Sequence, residues 1–555
     1  MRNSFTPTSS SNDFPAVPLA LFLILCLVWL LPGLIGHEPW KPDEAYTFGL
    51  VRHIAATGDW VVPTLAGEPF LEKPPLFFIS ASLLMQAFSA WLNPADAARL
   101  AAGLWMAVAF GGLALAARSL FGAFAGRWAV ILLLGCVGLP LRAHQMITDT
   151  ALFAGFSWGM AGLCMARQRP GLGGILLGAG GAVAFLSKGL LGPGCLGVSA
   201  VGLLALRDYR NRAYLKTLFL ALIVGVPLPL WWALSLYRHD PALFWTWLSA
   251  NNFGRFSGKS HLGPHAQRLF YFRTLPWYGF PAWPLALWAA WLAWRGRLSA
   301  TADTLRAPAM LLLVTFAVLS ASADARELYT MPLLAPIVLL AVGALPAGSG
   351  GGWRWASGFA TGLCLLKLVL LVTAAVALSS GHPAGLLHWL QRRHLGEGPL
   401  AWHPITWLAF GVILLVVALL WRRIPAPSAQ GFVWRWSLSL TLTWGVLATL
   451  WLPALDYTKS YQATFSPLAP RLQVIRAAGG CVASLGLGEP QRALLEYYAD
   501  FRTLRLETQP AAHQCRWLLV QTLHDQLPPL PPSTLVLTTQ RPGDDEERFY
   551  LYRLL

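Results

Sequence analysis

The chain has 555 residues, of which 56% are hydrophobic and only 12% charged, about half the charge of an ordinary soluble domain. So little charge cannot cover a water-facing surface, which excludes a cytosolic enzyme, a disordered chain and a DNA-binding factor. The net charge of +16 and the 27 tryptophans then read as the positive-inside bias and the interfacial indole belts of a membrane protein, with no nucleic-acid partner implied.

In chain order, the apolar run 17–35 predicts a first membrane span, because about 20 residues at 1.5 Å each cross the hydrocarbon core. A polar loop follows over 36–74, longer than a helix connection needs. Within it, Asp43-Glu44 opens a helical pattern at 45–56, so Asp43 is either a helix cap or a functional acid. Glu72-Lys73 sets opposite charges side by side just before Pro74-Pro75. Thirteen further apolar runs lie near 75–92, 99–118, 124–141, 149–166, 172–187, 190–206, 216–237, 277–294, 307–322, 330–346, 354–378, 402–421 and 433–452. Arginine-rich connections near 118–127, 167–169, 207–216, 295–306 and 422–435 belong in the cytoplasm. Strict alternation then requires one early run not to cross. The run 75–92 is the one expected to lie along the interface or re-enter. About thirteen spans remain, and they put loop 36–74 and the tail 453–555 outside the cytoplasm.

Several chemistry-bearing residues fall on that same outer side. Asp149 stands at the start of one apolar helix, as a cap or an acid, and Lys188 at the end of another, where it could simply snorkel. The loop 238–276 supplies Asn251-Asn252, Arg255, His261 and His265, and Arg326 and Tyr329 follow. Lys73, Lys188, Arg255 and Arg326 thus converge on one membrane face, as a lipid-linked phosphate requires. The tail reads as a small α/β module, with strands at 481–487, 516–520 and 548–554 and a helix at 490–498. Cys481 and Cys515 sit at two apparent strand starts. Parallel neighbouring strands would let them bridge in an oxidising compartment. The glycines at 171–174 and 178–181 are expected to serve close helix packing.

Three segments carry a family resemblance. Trp40-Lys41-Pro42-Asp43-Glu44, Thr57-Gly58-Asp59-Trp60-Val61-Val62-Pro63 and Phe70-Leu71-Glu72-Lys73-Pro74-Pro75-Leu76 resemble the first periplasmic loop of the aminoarabinose transferases of lipid A. The wider group is the protein O-mannosyltransferase-like GT-C membrane glycosyltransferases. Ile147-Thr148-Asp149 looks like the family's second acidic motif, and Phe185-Leu186-Ser187-Lys188-Gly189 resembles its threonine-lysine-glycine segment. Asn251-Asn252 stand where relatives carry a glutamate and a metal-binding histidine, and Arg326-Glu327-Leu328-Tyr329 where they carry lysine-leucine-proline-tyrosine.

The resemblance implies an α-helical polytopic membrane protein of the GT-C type, with about thirteen transmembrane helices over 1–452 and a small periplasmic α/β domain over 453–555. It implies inverting transfer of a sugar from a polyprenyl-phosphate donor to lipid A, another envelope glycan or protein, at the outer face of a bacterial inner membrane. Asp43 would be the catalytic acid-base residue and Asp149 the second acid. Lys73, Lys188, Arg255, Arg326 and Tyr329 would hold the donor phosphate. Glu72, with His261 or His265, would be the ligands of any divalent metal such as zinc or manganese. Two other classes fit the composition: a membrane transporter or flippase, and a lipid-linked glycan ligase or polymerase. A transporter is expected to repeat its loop pattern in matching halves, and no second copy of the 40–76 pattern occurs in the sequence.

Overall fold

The computed structural model describes residues 14–258, 267–298, 302–395, 404–423, 427–523 and 529–555, without the side chains of Arg255 and Ala302. Every predicted apolar run contains a helix. Among the described residues, six helices are long and apolar enough to cross a bilayer: Pro94–Phe121, Pro170–Lys188, Arg212–His239, Asp303–Ala321, Gly351–Ser380 and Pro404–Trp421. A seventh candidate, Ala429–Leu447 with Leu452–Ala477, bends by 59°. The chain is a multi-pass membrane protein. Its remaining apolar helices are shorter, among them Leu19–Leu30, Ala125–Leu134 and Glu327–Val342. Leu76–Phe88 has 13 residues and spans about 20 Å, too little to cross alone. Leu19–Leu30 has 12 residues and Ala125–Leu134 has 10, so helix length does not set the run 75–92 apart from runs expected to span.

The Asp149–Met165 helix is buried along nearly its whole length and lies between Pro94–Phe121 and Pro170–Lys188. Glycine permits this. A Cβ on Gly155 would lie 2.7 Å from the Gly180 carbonyl oxygen, and one on Gly180 would lie 2.5 Å from that of Gly155. The backbones therefore touch where any side chain would separate them. The glycine run 178–181 contributes this packing, as expected. Outer helices such as Arg212–His239 keep apolar side chains exposed, among them Leu222 and Trp231, which suits contact with lipid.

Among the described residues the tail forms a five-stranded sheet, in the spatial order Leu504–Arg505, Val482–Leu485, Trp517–Leu523, Glu547–Leu554, Ser533–Gln540. The chain's first two strands, β1 (Thr64–Leu65) and β2 (Glu68–Pro69), make a separate hairpin in loop 36–74. In the tail, β3 (Val482–Leu485) runs parallel to β4 (Leu504–Arg505) and to β5 (Trp517–Leu523). The strand β7 (Glu547–Leu554) pairs antiparallel with both β5 and β6 (Ser533–Gln540). A disulfide joins Cys481 to Cys515, with Cα atoms 5.1 Å apart, beside the parallel pair Val482 and Trp517. Closing that loop stabilises the tail by about 3–4 kcal/mol on the chain-entropy account.

Candidate active site

The first loop folds as a helix, Asp43–Thr57, then the β1–β2 hairpin, then a descent through Glu72-Lys73 into Leu76–Phe88. Gly58 ends the helix at φ 69°. Asp43 and Asp149 are each the first residue of a helix, and Pro42 and Thr148 occupy the cap positions. Capping therefore does not account for either acid. Both carboxylates are buried, Asp43 8% and Asp149 2% exposed, and both face partners from other elements.

Two charge pairs meet here. The Tyr46 hydroxyl donates to Asp43 Oδ1 at 2.8 Å, and the Lys73 ammonium donates to the Tyr46 oxygen. The Arg326 guanidinium lies 3.7 Å from Asp43 Oδ1. Lys188 pairs with Asp149 and stands 4.2 Å from the centre of the Tyr329 ring. Burial pushes the Asp43 carboxyl up. Lys73, the Tyr46 hydrogen bond, Arg326 and Lys188 together outweigh it, so its pKa is lowered. The influence of Lys188 on Asp43 makes the two pairs one cluster. Burial and the neighbouring Asp43 hold the Tyr46 phenol well above its usual range, so it stays a donor.

Glu72 lies in the same field. It raises the Glu489 carboxyl at the start of the tail helix Glu489–Ala499, after burial. Arg255 lies in the short helix Arg255–Ser257, but its side chain is outside the described residues, as are His261 and His265. Among the described residues no three His, Cys, Asp or Glu side chains gather as a metal would require. Asn252, at the position matched to the relatives' histidine, is already engaged. Its Oδ1 accepts from the Leu190 amide at 3.2 Å and its Nδ2 donates to the Trp247 carbonyl at 2.8 Å. It thereby pins the Lys188-Gly189 turn, where Gly189 has φ 76°. The described donors do not fit a metal.

Sequence reasoning missed the support under these acids. Glu44, 1% exposed, accepts from Arg99 Nε at 2.9 Å and from the Met146 amide at 2.9 Å. One carboxylate thus joins the segment carrying Asp43 to the segment three residues before Asp149. Arg99 is fully buried and also donates to Asp96 at 2.7 Å and to the His37 carbonyl at 3.0 Å. Arg99 offered a signal, since an arginine beside an apolar run must find a carboxylate.

No family model matches the chain. It is 26% identical over 487 residues to the undecaprenyl phosphate-alpha-4-amino-4-deoxy-L-arabinose arabinosyl transferase of Edwardsiella ictaluri, covering 82% of this chain and 80% of that one. It is 27% identical over 455 residues to transferase 1 of the same description from Sodalis glossinidius, covering 76% and 72%. The crystal structure of ArnT from Cupriavidus metallidurans bound to undecaprenyl phosphate superposes with a TM-score of 0.68 at 19% identity, over 96% of this chain and 97% of that one. The apo form gives 0.67. The chain has the fold of these crystal structures and resembles the aminoarabinose lipid A transferase-like GT-C membrane glycosyltransferases over most of its length.

Proposed function

We propose that the chain is an inverting membrane glycosyltransferase that moves a sugar from a polyprenyl-phosphate donor to an envelope acceptor of the lipid A class. The observation that carries this reading is the cluster of Lys73, Lys188 and Arg326 around Asp43 and Asp149 at one end of the apolar helices. The relatives are named for a donor of undecaprenyl phosphate-linked aminoarabinose, and this chain takes a donor of that chemical class. The transmembrane domain spans 1–452, and 453–555 is a periplasmic domain. Loop and tail lie on the same side, because Glu38, Trp40 and Glu68 bond tail residues directly. A periplasm-only reporter fused after Leu555 is expected to be active.

The mechanism follows from charge. Breaking the sugar–phosphate bond leaves negative charge on the lipid phosphate. Cations fixed in advance at that position lower the barrier, about 3–4 kcal/mol for a single well-placed donor in other enzymes. Without donor, those cations are neutralised by Asp43 and Asp149. An arriving phosphate competes for Lys73, Lys188 and Arg326, and its negative charge raises the Asp43 pKa again. Asp43 then becomes a better base for a hydroxyl acceptor. For a phosphate acceptor, already anionic, it orients rather than deprotonates. Tyr46 passes the Lys73 position on to Asp43 in both cases.

The test is donor choice. Purified protein in vesicles is expected to release polyprenyl phosphate from a polyprenyl-monophosphate sugar when acceptor is present, and to leave a polyprenyl-diphosphate glycan untouched. Turnover of the diphosphate alone would make it a glycan ligase. Turnover of neither would favour a transporter.

A further inference from the structure

The tail reaches almost to the candidate catalytic acid through one buried carboxylate. Glu547 opens β7 and is 1% exposed. Its Oε1 accepts from Gln491 at 2.7 Å and from Gln521 at 2.8 Å. Its Oε2 accepts from the Tyr461 hydroxyl and, at 2.9 Å, from the Lys41 ammonium. The first three partners belong to the tail, and they fix the carboxylate rigidly against the sheet. The fourth comes from the first loop, 506 residues away in sequence and two residues before Asp43. Pro42 stands between them and has a restricted φ, so Lys41 and Asp43 share little slack.

We infer that Glu547 is a positioning residue for transfer: the tail holds Lys41, and through it sets where the Asp43 carboxylate stands. The inference rests on the reading of Asp43 given above. Tail stability alone does not call for the Lys41 contact. Arg541 Nε lies 3.8 Å from Glu547 Oε2 and would still balance the carboxylate if Lys41 were neutral. Lys41 itself is about one-third exposed, at 32%, so its loss removes little packing. The loop is tied to the tail by further contacts, Tyr498 to Glu38 at 2.9 Å and Arg492 to Glu68 at 3.0 Å. Docking should therefore survive while the fine placement of Asp43 does not. Misplacement of a reacting group by an ångström costs up to about 10²-fold in rate.

The test uses full-length protein in vesicles and compares Lys41→Met, Lys41→Arg, Glu547→Gln, the Lys41→Met/Glu547→Gln double variant and Asp43→Asn. Lys41→Met should lower kcat about tenfold, within the range misplacement allows, with donor KM unchanged within about twofold, because the phosphate cations are untouched. Lys41→Arg should restore most of the rate. Lys41 also lies 4.0 Å from Asp544 of the tail, but among the described residues Glu547 reaches the first loop only through Lys41, so Glu547→Gln should lower kcat little further in the Lys41→Met background. Wild-type kcat for Lys41→Met beside an inactive Asp43→Asn would overturn this inference alone. Losses that multiply in the double variant would also overturn it, by showing that Glu547 acts elsewhere. An active Asp43→Asn would remove both this inference and the reading beneath it. If Glu547→Gln does not fold, the two Lys41 variants decide.

Discussion

Asp43→Asn is expected to lower transfer at saturating donor by at least about 10²-fold, the range of a lost acid-base group, in a protein that stays folded. The substitution keeps the size of the side chain and an oxygen for the Tyr46 hydroxyl at 2.8 Å. Asp43 is not the cap of its helix, so no cap is lost. What disappears is one negative charge amid Lys73, Arg326 and Lys188. On the proposed mechanism that charge is needed in the transfer step, whether it deprotonates a hydroxyl or orients an anionic acceptor. Turnover of the variant in the same vesicles as wild type is the measurement. A rate within a few-fold of wild type would show that Asp43 only balances charge.

Arg99→Met should be the most damaging substitution for the fold. It strands the buried carboxylates of Glu44 and Asp96, both partners of Arg99 at hydrogen-bond distance. Removing one member of a buried ion pair typically costs about 3–5 kcal/mol. The first loop would also lose its ties through the Leu34, His37 and Glu38 carbonyls. We expect a much lower yield in membranes and a clear fall in thermal stability in detergent. Glu44→Gln should be milder, because its amide oxygen can still accept from Arg99 or Met146. Wild-type stability of Arg99→Met would mean that the loop is held by other contacts.

Local pattern carried much of this architecture. Apolar runs gave the helices, and alternation with flanking turns gave β3, β5 and β7. Two cysteines at apparent strand starts left their pairing open, and the parallel placement of β3 and β5 is what joins Cys481 to Cys515. The strand β6 was not legible. It is an edge strand with a single buried position, Thr539, so it lacks the alternation that marks a half-buried strand. Within the site, Asp43 and Lys73 stood out as charges in a long polar loop and Asp149, Lys188, Arg326 and Tyr329 as polar residues beside apolar helices, while the roles expected of them came from the family resemblance. Their supports were not. Glu44 reads like any acid beside Asp43 until Arg99, 55 residues on, is seen to hold it. Asn252 reads like an ordinary loop amide until Gly189, in the left-handed region, is seen beneath it. Glu547 meets Lys41 only because the tail folds back across the whole chain. Long-range partners of this kind are set by tertiary packing and leave no periodic trace.

In the proposed mechanism these cations receive a lipid phosphate for which Asp43 competes. The most direct measurement is the affinity of wild type, Asp43→Asn and Lys73→Ala for polyprenyl phosphate alone. Asp43→Asn is expected to bind at least as tightly as wild type, since a competing carboxylate is gone. Lys73→Ala is expected to bind at least about tenfold more weakly, because a charge-assisted phosphate contact is lost. Equal affinity of Lys73→Ala and wild type, or loss of binding in Asp43→Asn, would contradict that mechanism.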